Sequence, residues 1–296
     1  MKKLIIFNPW AGHGYAGKTL GEIESYLNKI DMPYDLVATQ QKGHGIELTR
    51  QADFSQYDGI IAAGGDGTLF EVINGYYQNS SSNRLPIGIM PVGTGNAFIR
   101  DMNLHDHDWK TAIDIIRAGK TRKCDVGHFT TEGNTWYYLN ILGLGIVADI
   151  GATALKLKAL GNISYTIGSL YEILRLKPYK IKLTIDDKTI KRENVFVEIS
   201  NTRYTANFLM APFAKTDDGL LDVTILSPKG RIGLIRSFPK IITGEHIHMK
   251  EIETFQASYI RVETDIPKVL TPDGELMGST PLEVNCLKHA IDVFWE

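Results

Sequence analysis

A chain of 296 residues, 43% hydrophobic and 22% charged, has enough apolar material for two domains with buried cores. Its net charge of −2 gives no electrostatic argument for a nucleic-acid partner, and two cysteines, Cys124 and Cys286, are too few for a disulfide framework, so a reducing cytoplasm is the expected compartment. No run reaches the roughly 18 apolar residues of a membrane span, so membrane contact is expected to be peripheral.

Met1 to Phe7 begins like a leader peptide, but Asn8-Pro9 ends the apolar run too early, and the segment predicts a strand over Lys3 to Asn8. A helix is expected over Gly17 to Ile30, a strand over Tyr34 to Thr39 and a helix from about Gly45 to Ala52. The third strand, Tyr57 to Ala63, is short, apolar and β-branched. It runs into Gly64-Gly65-Asp66-Gly67-Thr68, after which Leu69 to Tyr77 shows helical spacing. Ile87 to Pro91 predicts a fourth strand, followed by a glycine turn, a short helix at Asn96 to Met102 and another at Trp109 to Ala118. Repeated strand–helix units imply a mostly parallel sheet with helices on both faces, which binds ligands beyond the carboxyl ends of its strands.

Three glycine-containing loops lie at those ends: Asn8-Pro9-Trp10-Ala11-Gly12-His13-Gly14, the 64–68 loop, and Pro91-Val92-Gly93-Thr94-Gly95-Asn96. A strand that ends in glycines and opens into a helix can receive an anion, because the backbone comes close and amide N–H groups point outward. Asp66 would repel a bare phosphate, so it makes sense beside a Mg²⁺ ion or a substrate hydroxyl, which suggests phosphoryl transfer. The five residues 64–68 alone suit a bare strand–helix turn equally well. Three such loops, carrying Asn8, Asp66, Thr68, Thr94 and Asn96, are poorly explained by turn chemistry.

After about residue 122 the texture changes to alternating runs: Thr135 to Asn140, Lys180 to Ile185, Asn194 to Ser200, Leu221 to Leu226, Tyr259 to Glu263 and Ile291 to Trp295. Turn signals at Asp186-Asp187, Pro228-Lys229-Gly230 and Asp273-Gly274 separate several of them. This reads as an antiparallel β-sandwich, interrupted by helical stretches at about Ala152 to Leu176 and Gly233 to Thr243. The expected division is an α/β domain over residues 1–122 and a β-sandwich domain over 123–296.

In this order, the first loop (NPxAGxG), Gly64 to Thr68 (GGDGT) and the third loop (PxGTxN) resemble the catalytic domain of diacylglycerol kinases, sphingosine kinases and bacterial lipid-kinase relatives. Thr216-Asp217-Asp218-Gly219-Leu220-Leu221-Asp222 resembles that family's DDG loop, and Pro272-Asp273-Gly274-Glu275 its DGE motif. GGDGT alone also occurs in NAD kinases and phosphofructokinases; five segments in order cover nearly the whole chain. The resemblance implies an NAD-kinase-like α/β domain followed by a β-sandwich, with the active site between them, and ATP and Mg²⁺ as cofactors. It puts Asn8, Pro9, Gly12, Thr39, Gly64, Gly65, Asp66, Gly67, Thr68, Gly93, Thr94 and Asn96 at the nucleotide.

Phosphoryl transfer to an alcohol needs positioned phosphates, a divalent cation and a carboxylate near the attacking hydroxyl. By resemblance, Glu275 is the general base, with Asp66 as its competitor, since sphingosine kinases use the Asp of this loop. Asp125 is expected to begin the first strand of the second domain, and by resemblance it stands where the family has an acidic residue near the Mg²⁺ network. Asp218, with the backbone carbonyls of Lys215 and Leu220, resembles a second, structural Mg²⁺ site. Many bacterial diacylglycerol kinases carry Asp after PxGTxN, where this chain has Ala97. The string Leu144 to Asp149 resembles the sphingosine-kinase stretch whose Asp holds the head group, which makes Asp149 a candidate for a polar lipid head; an apolar strand ending at Asp149 is equally consistent.

Thr153 to Lys182 is locally basic, with Lys156, Lys158, Arg175, Lys177, Lys180 and Lys182 against Glu172, and Leu155, Leu157, Leu160, Ile163 and Tyr165 interleaved. Such a segment suits transient docking on a bilayer that holds the substrate, as well as a solvated helix face. His13, His44, His246 and His248 are expected to be ordinary loop or strand residues. An exposed edge strand would support a homodimer. The resulting expectation is an ATP-dependent kinase of a diacylglycerol or sphingoid-type lipid alcohol, peripheral to the membrane. The alternatives are a kinase of a soluble substrate and a catalytically inactive nucleotide- or lipid-binding protein.

Overall fold

A computed structural model describes residues 1–146, 148–150, 153, 168 and 171–296. They fall into two compact units. The first holds Met1–Val126 together with Lys288–Glu296, and the second holds Gly127–Leu287.

In the first unit β1 (Lys2–Phe7), β2 (Tyr34–Ala38), β3 (Tyr57–Gly64) and β4 (Ile87–Pro91) lie in the order β2-β1-β3-β4, all parallel. The end of the chain's last strand adds Val293 beside Ile87. β3 buries Gly59 to Gly64 and β4 buries its whole length, the continuous apolar run of strands covered on both faces. The chain leaves β1 toward β2 and then crosses to β3 on the other side. The loops after β1 and β3 therefore flank a point where the strand order reverses, the usual ligand position in such sheets.

Three helices connect these strands, α1 (Tyr15–Lys29), α2 (His44–Gln51) and α3 (Asp66–Gln78), and two more follow β4, α4 (Ala97–Asp101) and α5 (Trp109–Ala118). α1 buries Ala16, Thr19, Ile23 and Leu27, one stripe at helical spacing. α2 is held at both ends from α3 and its C-cap. Glu71 accepts from the N–H groups of Gly43 and Gly45 at 2.7 and 2.8 Å, while the Asn79 amide donates to the carbonyls of Thr49, Arg50 and Ala52 at 3.0, 2.9 and 2.9 Å. The eight residues from 71 to 79 rise about 12 Å, the length of α2 itself.

The second unit contains two antiparallel sheets. One orders β9 (Lys188–Asn194), β8 (Tyr179–Ile185), β13 (Tyr259–Thr264) and the first part of β16 (Leu282–Phe294). The other orders β12 (Ile252–Ala257), β11 (Leu221–Leu226), β10 (Phe196–Ser200), β7 (Ile141–Gly145), β14 (Val269–Pro272) and β15 (Met277–Ser279). β5 (Thr121–Thr131) begins in the first unit and ends in the second, where it forms a hairpin with β6 (Asn134–Tyr138). The helix α6 (Arg231–Thr243) and residues 171–176, helical as far as 175, pack Leu234, Ile241, Ile173 and Leu176 around Ile146, Val195, Phe196 and Met210.

The α/β-then-antiparallel architecture agrees with the sequence expectation. β5, β7, β9, β12, β14 and β15 are not among the six runs read from the sequence, and the run Ile291 to Trp295 is only the end of β16. Most of the expected helix from Ala152 to Leu176 lies outside the described residues, as do Lys156, Lys158 and the apolar residues interleaved with them. Among the described residues no helix is long and apolar enough to cross a membrane.

Candidate active site

The three glycine loops of the first unit are fastened to one another. Asn8 continues from β1 and donates its backbone N–H to Ala63 at 2.9 Å, while its side-chain amide donates to Thr68 Oγ1 at 3.2 Å. The same side chain accepts from Trp10 N–H at 3.0 Å, which turns the chain into the loop Gly12 to Gly14, all three residues in the left-handed region. Gly64 accepts from the N–H groups of Val92 and Gly93 at 3.2 and 3.0 Å, so the second and third loops are joined by backbone. Asp66 reaches the third loop as well: its Oδ1 accepts from Ala97 N–H, the start of α4, at 2.8 Å.

Close approach explains the glycines. A Cβ on Gly64 would stand 2.1 Å from Thr68 Oγ1, one on Gly93 would stand 2.4 Å from the Gly65 Cα, and one on Gly12 would stand 2.7 Å from the Val92 carbonyl oxygen. The N-termini of α1 and α3, whose backbone dipoles favour negative charge, open from this cluster. Thr39 follows β2 and donates its N–H to Phe7 at 2.8 Å, at the same end of the sheet. Pro9 accepts from Gly17 N–H, and Thr94 is exposed beside Gly95. Asn96 is buried and turned inward, its amide donating to Gly93 O at 3.0 Å and to Asp106 Oδ1 at 2.9 Å.

Asp125 does not begin a strand of the second unit. It lies inside β5, fully buried, and accepts from His289 N–H at 2.7 Å, which ties the last strand to the first unit.

In the second unit the turn after β14 carries Glu275. Its N–H donates to Pro272 O at 2.8 Å, with Asp273 and Gly274 at positive φ, and its side chain is half-buried. Asp273 fixes this turn: it is buried and accepts from the N–H groups of Leu139, Asn140 and Ile141 at 3.1, 2.9 and 3.0 Å. Burial pushes its carboxyl up to about 6, against the lowering effect of those donors. In the loop before β11, Asp218 accepts from Leu220 N–H at 3.0 Å. Burial raises Asp222 to about 6, and the Asp218 carboxylate adds to the rise. Lys215 is exposed. Asp149 is exposed in helical residues 148–150, and desolvation by its surroundings raises its carboxyl while Lys268 opposes this.

Sequence reasoning missed three acidic residues. Asp273 was noted only as part of the motif around Glu275. Asp106, 2.9 Å from the Asn96 amide, braces the third loop. Glu198 sits fully buried in β10 and accepts from Ser200 Oγ at 3.2 Å and Thr205 Oγ1 at 2.6 Å, and burial pushes it up to about 7. A lone Glu in the apolar run Phe196-Val197-Glu198-Ile199-Ser200 was its available signal. His44 and His246 have structural partners, the first accepting from Gln40 N–H and the second bonded to Met210 O. Among the described residues no three His, Cys, Asp or Glu side chains gather as metal ligands.

The chain is similar to known proteins along its length. Residues 2–129 match the model of the diacylglycerol kinase catalytic domain, and residues 141–295 match that of the YegS C-terminal NAD kinase beta sandwich-like domain. The chain is 30% identical over 289 residues to a diacylglycerol kinase of Bacillus subtilis, covering 96% of this chain and 93% of that protein. It is 28% identical to sphingosine kinase 1 of Arabidopsis thaliana, covering 98% of this chain and 71% of the plant protein. A crystal structure of a diacylglycerol kinase from Bacillus anthracis superposes with a TM-score of 0.80 at 27% identity, covering 100% of this chain and 97% of that one. The loops fastened at the end of the parallel sheet, the antiparallel unit that follows and these matches along the full length have one conclusion: the chain belongs to the diacylglycerol kinase catalytic-domain family, a family of lipid kinases.

Proposed function

We propose that the protein transfers the γ-phosphate of ATP to the hydroxyl of a lipid alcohol, a diacylglycerol or a sphingoid-type base. The observation that carries this reading is the mutual fastening of the Asn8, Gly64 and Pro91 loops, in which Gly12, Gly64 and Gly93 leave no room for side chains. The residues fit a nucleotide: Gly12, Gly64, Gly65, Gly67 and Gly93 supply a side-chain-free backbone, and the ends of α1 and α3 supply favourable dipoles for its phosphates. Asn8, Pro9, Thr39, Thr68, Thr94 and Asn96 complete or brace that surface. Asp218, the carbonyls of Lys215 and Leu220, and Asp222 would supply only oxygen donors, and a cation held by them would relieve the repulsion between the two carboxylates.

Bound ATP supplies the transferable phosphoryl group, and Mg²⁺ supplies neutralisation of the charge that develops on it. The chain's part is positioning and proton transfer. The carboxylate of Glu275 takes the proton of the attacking lipid hydroxyl, and Asp273 holds the turn that presents it. Asp66, whose Oδ1 accepts the Ala97 N–H that begins α4, is the competing choice for base. Asp125 positions β5 against the returning strand through His289, and Asp149 remains a candidate for the lipid head group.

The test offers γ-labelled ATP and Mg²⁺ with diacylglycerol, monoacylglycerol, sphingosine, ceramide or an isoprenoid alcohol in mixed micelles, and NAD as a soluble acceptor. Label in one lipid supports the reading and names the substrate. Label in NAD alone overturns it in favour of a soluble-substrate kinase. ATP binding without transfer to any acceptor overturns it in favour of an inactive binding protein.

A further inference from the structure

α6 has two opposed apolar faces. Leu234 and Ile241 point into the core of the second unit, beside Ile173, Phe196 and Met210. On the other side Ile232, Ile235 and Ile242 are 69%, 37% and 55% exposed, and Pro239 is exposed between them. The spacing 232, 235, 239, 242 is that of one helical stripe. Arg231, Arg236 and Lys240 are exposed along the same helix, which contains no acidic residue. Just past the helix Gly244 lies against Pro212, and Phe213, next to Pro212 in the chain, is 70% exposed.

A water-facing surface seldom carries three large apolar side chains on one stripe without a partner for them. The charge around the patch says which partner. The whole chain carries a net charge of −2, yet this helix carries three cations and no anion, and the exposed Glu245 just past its end leaves the cations in excess. An apolar stripe rimmed by Arg and Lys is the pattern of a helix that lies in a membrane interface, with side chains at the acyl boundary and cations at anionic head groups. Resting on the reading of the protein as a lipid kinase, we infer that the outer face of α6, with Phe213, docks the enzyme on an anionic phospholipid bilayer, from which the lipid substrate is drawn.

The test separates docking from catalysis. Full-length protein is floated with vesicles of pure phosphatidylcholine, or of phosphatidylcholine with phosphatidylglycerol, without ATP or diacylglycerol. Each cation near an anionic surface contributes roughly fivefold to partitioning, so Arg231→Gln/Arg236→Gln/Lys240→Gln lowers binding to the anionic vesicles about a hundredfold. Ile232→Ser/Ile235→Ser lowers binding as well, and added salt weakens the wild type. The substituted side chains are exposed, so both variants keep the wild-type melting temperature and their phosphorylation of a water-soluble short-chain diacylglycerol. Wild-type protein that ignores anionic vesicles, or variants that bind them as wild type does, overturns the inference. So does a wild-type dimer that becomes monomeric in Ile232→Ser/Ile235→Ser, which would make the stripe an interface between copies. Flotation without kinase activity on any lipid leaves the docking face supported and overturns the catalytic reading instead.

Discussion

Gly64 shows how little freedom the proposed nucleotide site has at the level of single atoms. A methyl group there meets Thr68 Oγ1, which itself accepts from Asn8, so two loops must move to admit it. Overpacking of this kind costs about 1–3 kcal/mol. Gly64→Ala is expected to lower the melting temperature by several degrees and to weaken ATP binding by about tenfold or more, measured by calorimetry. Unchanged affinity would show that the glycines serve the turn and not a ligand. Glu198 carries a different prediction. Its folded pKa of about 7 exceeds the unfolded value, so the folded state holds the proton more tightly, and stability falls as pH rises from about 4.5 to about 7. Glu198→Gln removes this ionisation, so the difference in stability, variant minus wild type, is expected to rise across that window by on the order of 3 kcal/mol. A difference that stays flat with pH would contradict the assignment. The glycines were legible because their spacing repeats a pattern tied to strand ends. The clamp of Asp273 was not, because its three amide donors lie more than a hundred residues away in sequence, at Leu139 to Ile141.

At the scale of elements, the parallel half followed its sequence closely, since β3 and β4 are continuous apolar runs and α1 keeps one buried stripe. β9 and β12 escaped notice because their outward residues are charged or polar: Lys188 to Asn194 buries only its last residue, and Ile252 to Ala257 likewise. Edge strands of this kind are set by pairing with β8 and β11, a long-range property. The support of α2 by α3 makes a prediction at this scale. Asn79→Ala removes the donor to three carbonyls at the end of α2, and removal of such a partner costs about 1–3 kcal/mol. Its midpoint in denaturant should fall with unchanged slope, whereas a midpoint equal to that of wild type would mean that water replaces the amide.

For the whole molecule, the feature hidden from the sequence is the return of the chain. β16 begins beside β13 and ends beside β4, so the last nine residues belong to the first unit. Ile291, Val293 and Phe294 are buried there, with Phe294 packed on Gly59, and Trp295 N–H donates to Lys120 O at 3.0 Å. Each large buried side chain lost costs about 2–5 kcal/mol, and three together rival the whole stability of a domain. A chain ended after Leu287 is therefore expected to lose the folded first unit and its ATP binding, read by limited proteolysis. A truncated protein that binds ATP and resists protease would contradict this.

The family was legible because five short motifs fall in a fixed order, whereas the course of the last strand depends on pairings that no local pattern records. The most direct measurement is the transfer of label from γ-labelled ATP to diacylglycerol and to sphingosine in mixed micelles, by wild-type protein and by Glu275→Gln side by side. The account predicts a labelled lipid from the wild type, and turnover lower by roughly 10²–10⁴-fold in the variant with ATP affinity unchanged. Near-full turnover by Glu275→Gln would remove Glu275 from the base's role, and wild-type protein that binds ATP yet labels neither lipid would contradict the account at its centre.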